Sequence, residues 1–346
     1  MTTLLDVQDL RVSFPDAAGG RIQPVDGVSF AIARGEMLAL VGESGCGKSL
    51  TSLALLRLVP EPGRIEPGSR VRLGDTDVLA LRGGALREIR GRRIGMIFQD
   101  PMTSLNPVFR VGDQITEGMH AHFKLSKAEA RERALALLEE VGIPDPVARF
   151  DAYPHQLSGG MRQRVMIAIA LAAQPELLIA DEPTTALDVT VQAQILEVLD
   201  RLRATRGMAI LLITHDLGVV AGRADRVCVM YAGQIVEEAP TAELFRNPRH
   251  PYTQGLFASV PKLTGPRERL TPIKGSVPPP SAWPTGCRFR PRCPIVHPRS
   301  AELPPLLDAG PAHRMRCWLA VEPVGPVEPV GPASATDRGA AEDRTA

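Results

Sequence analysis

The sequence predicts an α/β protein, and three observations predict it. A continuous apolar run, Met37-Leu38-Ala39-Leu40-Val41, ends in a glycine-rich loop, and a helical pattern follows from Ser49 to Leu58. Two more apolar runs, Leu177 to Ala180 and Ile210 to Thr214, are each followed by a helical pattern. A run without polar alternation suits a strand covered on both faces, the usual state of a parallel strand between helices.

The N-terminal segment reads as short strands, Leu4 to Val7 and Leu10 to Phe14, then a turn over Asp16 to Gly20 and a strand over Val28 to Ile32. Between about residues 100 and 160 the pattern becomes helical. Ser126-Lys127-Ala128-Glu129 is a capping box, and Ala130, Ala134, Leu137, Leu138 and Val141 follow on one helical face. Val227 to Met230 and Gln234 to Val236 read as a hairpin over Ala232-Gly233. After about residue 250 the periodicity fades, and Pro278-Pro279-Pro280 marks a boundary or spacer. Near-repeats of Val-Glu-Pro-Val-Gly-Pro at 321–326 and 327–332 open a polar tail expected to be disordered.

Composition narrows the function classes. The chain has 346 residues, enough for more than one domain. Lys and Arg number 40 against 39 Asp and Glu, and aromatics are 4%, so no nucleic-acid partner is expected. Five cysteines exclude a disulfide-dense scaffold, and Cys228 in an apolar strand reads as core. Met1 to Leu10 lacks the pattern of a secretory signal. The longest apolar stretch, Val165 to Ala173, falls far short of the roughly 20 residues that span a bilayer. The expectation is a soluble chain, or one attached to a membrane through partners.

Gly42-Glu43-Ser44-Gly45-Cys46-Gly47-Lys48-Ser49 fits the phosphate-binding pattern G-x-x-x-x-G-K-S. Its glycines let backbone N–H groups curl around phosphates in front of a helix N-terminus. Lys48 suits the β- and γ-phosphates and Ser49 suits Mg²⁺. Cys46 in this loop is expected to be a tolerated residue, with its thiol pKa lowered by the helix N-terminus and open to alkylation. Leu177 to Glu182 is an apolar strand ending in two carboxylates: Asp181 placed for Mg²⁺, Glu182 placed to deprotonate an attacking water. Leu157 to Arg164 is a second glycine-bearing loop leading into a helix, with Ser158 as its N-cap. One site does not need two anion-binding loops, so this one is expected to cap the γ-phosphate held by a second subunit.

The order of these motifs resembles the nucleotide-binding subunit of an ATP-binding cassette (ABC) transporter. Leu157 to Gln163 matches that family's signature sequence, which implies partner-ATP contacts for Ser158, Gly159, Gly160 and Gln163. The resemblance implies that Gln99 is the Q-loop residue contacting Mg²⁺, that Asp188 in Ala186-Leu187-Asp188 belongs to the D-loop, and that His215 is the switch histidine. Phe14 stands where the family stacks an aromatic, more often Tyr, on adenine. The loop residues Gly42, Ser44, Gly45, Cys46, Gly47, Lys48, Ser49 and Leu50 form the implied ATP site. The implied fold is a P-loop ABC ATPase core with an antiparallel β-subdomain, an inserted α-helical subdomain and a small C-terminal extension. Its expected divisions are 1–250, 251–320 and a tail over 321–346.

Longer matches resemble the dipeptide/oligopeptide importer subfamily, which also includes nickel importers. They are Gln99 to Pro107, Tyr153 to Gly160, Ala180 to Thr190 and His250 to Leu256. The resemblance implies ATP and Mg²⁺, a second ABC ATPase subunit (identical or different), two membrane permease subunits and an extracytoplasmic solute-binding protein. It places the chain peripherally on the cytoplasmic face of a bacterial plasma membrane. A nickel or other solute importer stands as one alternative, and a soluble non-transport ABC ATPase as another.

In related proteins four cysteines of the C-terminal extension hold an iron–sulfur cluster. Here Cys287, Cys293 and Cys317 match, but Ser300 stands at the third ligand position. A 4Fe–4S cluster normally takes four thiolates. The sequence leaves two states open: a cluster completed by Ser300, His297 or His313, and a reduced, metal-free extension.

Overall fold

The alternation of polar and apolar residues at the N-terminus builds one antiparallel sheet, and the uninterrupted apolar runs build another. A computed structural model describes residues 2–17, 19–100, 104–185, 187–259, 272–295 and 297–322. Of the tail expected to be disordered from 321, Val321 and Glu322 are ordered, their amides donating to the Trp318 carbonyl; residues from 323 onward and Pro101 to Thr103 lie outside the described residues.

The first sheet contains β1 (Thr3–Pro15), β2 (Arg21–Ala33), β4 (Arg64–Ile65), β5 (Arg70–Leu73) and β6 (Thr76–Asp77) in the order β2-β1-β5-β6, with β4 also on β1. Here the two short strands expected at the N-terminus are one. Asp9 takes φ 53°, the β1–β2 register shifts between Val7 and Leu10, and the strand continues through the irregularity.

The second sheet adds β3 (Met37–Val41), β7 (Ile94–Ile97), β8 (Leu177–Asp181), β9 (Ala209–Thr214), β10 (Arg226–Tyr231), β11 (Gln234–Pro240), β12 (Leu307–Gly310) and β13 (His313–Met315). Their order is β12-β13-β11-β10-β3-β9-β8-β7, with parallel pairing from β10 through β7. Leu38 and Leu40 pack into one apolar core, while Met37, Ala39 and Val41 pack into the other. Both faces are therefore covered, which is why the run carries no polar alternation. Burying a Leu of this kind contributes on the order of 2 kcal/mol.

The helix after β3 spans Lys48–Leu55, shorter than the sequence pattern, because Arg57 turns the chain with φ 54°. The expected helical region contains Val111–His120, Lys127–Glu140 and Pro146–Phe150, then Gly159–Leu171. The capping box forms as read: Ser126 Oγ accepts from the Glu129 amide, and the Glu129 carboxylate accepts from the Ser126 amide at 2.8 Å. The expected hairpin is β10–β11, turning at Ala232 and Gly233 with φ 44° and 80°.

The extension does not stand apart from this sheet. The β12–β13 hairpin joins it through β13 and β11, pairing Met315 with Glu237 and Arg314 with Glu238. Among the described residues, no helix is long and apolar enough to cross a membrane.

Candidate functional site

The carboxyl ends of the parallel strands deliver the site. The chain leaves β3 at Gly42 and enters its helix at Lys48. A Cβ on Gly42 would lie 2.2 Å from the Met230 carbonyl oxygen, and one on Gly47 would lie 2.6 Å from that of Pro24. Gly47 also holds φ 109°. The loop is therefore pressed against β10 and β2, and only glycine fits at these two positions.

Within the loop Lys48 is 4% exposed, and its Nζ donates to the Gly42 and Glu43 carbonyls at 2.8 and 3.1 Å. Its ammonium is thus held at the mouth of a helix N-terminus, a place suited to phosphate oxygens. Cys46 is fully buried, and burial pushes its thiol up from its ordinary value, with Lys48 pulling the other way. This corrects the expectation of a lowered, alkylatable thiol: desolvation outweighs the helix terminus and the neighbouring ammonium.

Across the cleft, β8 ends in Asp181 and Glu182. Ser49 Oγ donates to Asp181 Oδ1 at 3.1 Å, and Ser52 Oγ lies 3.5 Å from Oδ2. Burial pushes the Asp181 carboxyl up, while the Ser49 hydrogen bond opposes the shift. Glu182 takes φ 47°, a left-handed backbone unusual for a non-glycine residue and commonest at functional sites. Its Oε2 accepts from Gln99 Nε2 at 3.1 Å and Thr185 Oγ1 at 2.9 Å, and lies 3.4 Å from His215 Nδ1. Glu182 is 9% exposed, so one carboxylate oxygen at the floor of the cleft is aimed by three separate segments.

The cleft holds about 260 Å³ and is lined by Pro24, Ser44, Gly45, Gly47, Lys48, Ser49, Leu50, Gln99 and Glu182. Most of the predicted loop residues thus meet Gln99 and Glu182 around one space. Phe14 is not part of that lining; it packs instead against Gly63, where a Cβ would lie 2.5 Å from the ring. Pro24 and Thr185 were not singled out from the sequence. Thr185 could have been, since it stands three residues after Glu182, whereas Pro24 reaches the cleft only through the pairing of β2.

The second glycine loop faces elsewhere. Ser158 caps the helix Gly159–Leu171, its Oγ accepting from the Met161 amide at 3.3 Å. Ser158 and Gly159 are exposed, whereas Gln163 is buried. A Cβ on Gly160 would lie 2.7 Å from Val191, so this glycine lets two helices approach. Asp188 is exposed and caps the helix Val189–Arg206 through the Val191 amide at 3.0 Å. Ala186 of the D-loop match lies outside the described residues.

Ser49, Asp181 and Gln99 offer hydroxyl, carboxylate and amide oxygens, a donor set that suits Mg²⁺. The cysteines of the extension do not suit a 4Fe–4S cluster. Cys287 and Cys317 act electrostatically on Cys293, so three thiols share one neighbourhood. Burial raises the Cys287 and Cys317 thiols and lifts Cys293 to about 11, its Sγ donating to the Ile295 carbonyl at 2.8 Å. His313 Nε2 is engaged with Glu237 at 2.6 Å, and His297 Nδ1 accepts from the Arg299 amide at 3.1 Å. Three thiols without a fourth cannot make the four-thiolate shell. Among the described residues no group of three or more His, Cys, Asp or Glu is arranged to hold a metal ion. Freshly purified protein is expected to carry no stoichiometric iron or acid-labile sulfide and no broad visible charge-transfer band. Colorimetric iron and sulfide assays check this, and one cluster's worth of both would overturn it.

The chain is similar in sequence and fold to known proteins. Residues 25–185 match the family model described as ABC transporter, and residues 236–299 match the one described as oligopeptide/dipeptide transporter, C-terminal region. The sequence is 50% identical to the dipeptide transport ATP-binding protein DppD of Haemophilus influenzae, over 91% of this chain and 94% of that one. It is 52% identical to the oligopeptide transport ATP-binding protein AppD of Bacillus subtilis, over 93% and 98%. Among solved structures, the ATP-binding cassette MJ0796, a dimer bound to ADP and Pi, aligns with TM-score 0.61 at 26% identity. That alignment covers 69% of this chain and 99% of the cassette.

Proposed function

The chain belongs to the ATP-binding proteins of ABC transporters, and from that premise we propose that it hydrolyses ATP to drive the import of dipeptides or oligopeptides. The observation that carries the chemistry is the cleft in which Lys48, Ser49, Gln99 and Glu182 converge. The match of residues 236–299 to the oligopeptide/dipeptide transporter C-terminal region carries the cargo class and weighs against a non-transport ATPase.

In this reading residues 1–250 form the nucleotide-binding domain, 251–320 the extension and 321–346 the tail. Lys48 and the loop amides bind the phosphates of ATP, while Phe14, which packs against Gly63 outside the cleft lining, would meet the adenine only where the base extends beyond that cleft. Ser49, Gln99 and Asp181 would hold Mg²⁺, which supplies charge neutralisation at the phosphates when bound. Glu182 accepts a proton from water as its oxygen attacks the γ-phosphorus. The bond from that phosphorus to the bridging oxygen breaks, and ADP leaves with inorganic phosphate. Gln99, Thr185 and His215 keep the accepting oxygen aimed.

ABC ATPases of peptide importers work as dimers with membrane permeases. The exposed Ser158 and Gly159, with Gly160 and the buried Gln163, would contact ATP held by a second ABC ATPase subunit, and the exposed Asp188 would form part of the D-loop. Contacts that exist only in the closed dimer would shift the population toward closure when ATP binds. The chain would dock from the cytoplasmic face on two permease subunits, with an extracytoplasmic solute-binding protein delivering the peptide. The test is copurification with the permeases, followed by ATPase assays. Peptide-loaded binding protein is expected to stimulate hydrolysis several-fold, and stimulation by nickel but not by peptide would refute the cargo.

A further inference from the structure

The phosphate-binding loop is gripped from outside its own domain. Its second residue, Glu43, is fixed at three points, two of them by the C-terminal extension. The Glu43 carbonyl accepts from Lys48 Nζ at 3.1 Å. The Glu43 amide donates to the Tyr252 hydroxyl at 3.0 Å. The Glu43 carboxylate pairs with the Arg292 guanidinium at 3.1 Å.

Arg292 is built into this role. Its side chain is 6% exposed, and its other nitrogens donate to the carbonyls of Lys274 at 2.9 Å and Gly275 at 3.2 Å. Its guanidinium also lies 5.6 Å from the centre of the Tyr231 ring, at the end of β10. Tyr231, Tyr252 and Phe289 pack as a cluster with centroids 4.6 to 5.4 Å apart, so the ring that Arg292 faces is itself packed against two others. A second route runs in parallel. Arg288 pairs with Asp26 and donates to the Ala232 carbonyl at 2.6 Å, and the next residue, Gly233, donates to the Cys46 carbonyl at 2.9 Å.

We propose that the C-terminal extension pre-organises the phosphate-binding loop, with Arg292 and Tyr252 acting as positioning residues that set ATP affinity through Glu43. This rests on the reading of the loop as an ATP site. Glu43 does not line the cleft, so Arg292 and Tyr252 act on nucleotide only through the loop they hold. Freed from them, the loop would sample more conformations, and ATP binding would have to restore the order. The effect therefore falls on affinity rather than on the chemical step.

The experiment measures ATP affinity of the full chain by displacement of a fluorescent ATP analogue, with Mg²⁺ present. Arg292→Met and Glu43→Gln are each expected to weaken ATP binding by about fivefold, the scale of one partly buried ion pair. The double variant should be no weaker than either single one, because both remove the same contact. Arg292→Lys should recover part of the loss. KM for ATP should rise in step, while hydrolysis at saturating ATP stays within about twofold. Tyr252→Phe keeps the aromatic cluster and removes the amide partner, so it tests the same grip if Arg292→Met fails to fold. Lys48→Ala separates the two readings. If it weakens binding by about 10-fold or more while Arg292→Met, Glu43→Gln and Tyr252→Phe all bind normally, the positioning role is refuted and the ATP site stands. If Lys48→Ala also binds normally, the ATP site itself is wrong. Losses that multiply in the double variant would assign Arg292 a merely structural role.

Discussion

Glu182→Gln is expected to keep ATP binding and to lower steady-state hydrolysis by about 100-fold or more, the scale of a lost general base. The reason is specific to the Oε2 atom. It is the shared partner of Gln99, Thr185 and His215 and sits at the floor of the cleft. An amide of the same shape preserves the packing but cannot take a proton from water. The ATP-bound dimer should then accumulate, because the γ-phosphate that holds it closed is not removed. Phosphate release and size-exclusion chromatography with light scattering, with and without ATP, read both effects. Near-normal turnover in this variant would remove Glu182 from the role of base.

Lys48→Ala should act at the earlier step. The ammonium is buried and held by the uncharged carbonyls of Gly42 and Glu43, with the Cys46 sulfur 3.9 Å away, so it is free to exchange those partners for phosphate oxygens. Hydrogen bonds to a charged group contribute about 1.5–3 kcal/mol. That corresponds to ATP binding weaker by about 10- to 100-fold. Calorimetric titration checks it, with a thermal melt to show that the variant folds. The contrast between the two variants is the informative part: one loses turnover with nucleotide bound, the other loses nucleotide.

Both residues were legible in the sequence because their signals are local. A glycine loop between a buried strand and a helix, or two carboxylates at the end of an apolar run, needs only a few neighbouring residues to be read. The same holds for the Ser126 capping box and the β10–β11 hairpin. Long-range packing was not legible. Asp9 joins two short strand patterns into one because a left-handed residue lets β1 continue past its register shift. Cys46 was misread because its helix position is local, while the β10 packing and the burial that raise its thiol are not. The pairing of Glu43 with Arg292 joins residues from opposite ends of the chain, and no spacing rule reaches that far. The missing fourth thiolate was legible at Ser300. The commitment of His313 to Glu237 was visible only once β13 had been laid beside β11.

The central claim, that ATP hydrolysis at this cleft drives peptide import, is tested most directly by ATP-driven release of peptide from inside-out vesicles. The chain, its partner ATPase and the permeases would be reconstituted in proteoliposomes with the ATP sites outside. Binding protein loaded with a labelled peptide would be enclosed within. Labelled peptide should appear outside only when ATP and Mg²⁺ are added, and Glu182→Gln in this chain should abolish its release. Peptide release that proceeds unchanged without ATP, or at the wild-type rate in the Glu182→Gln complex, would contradict the claim.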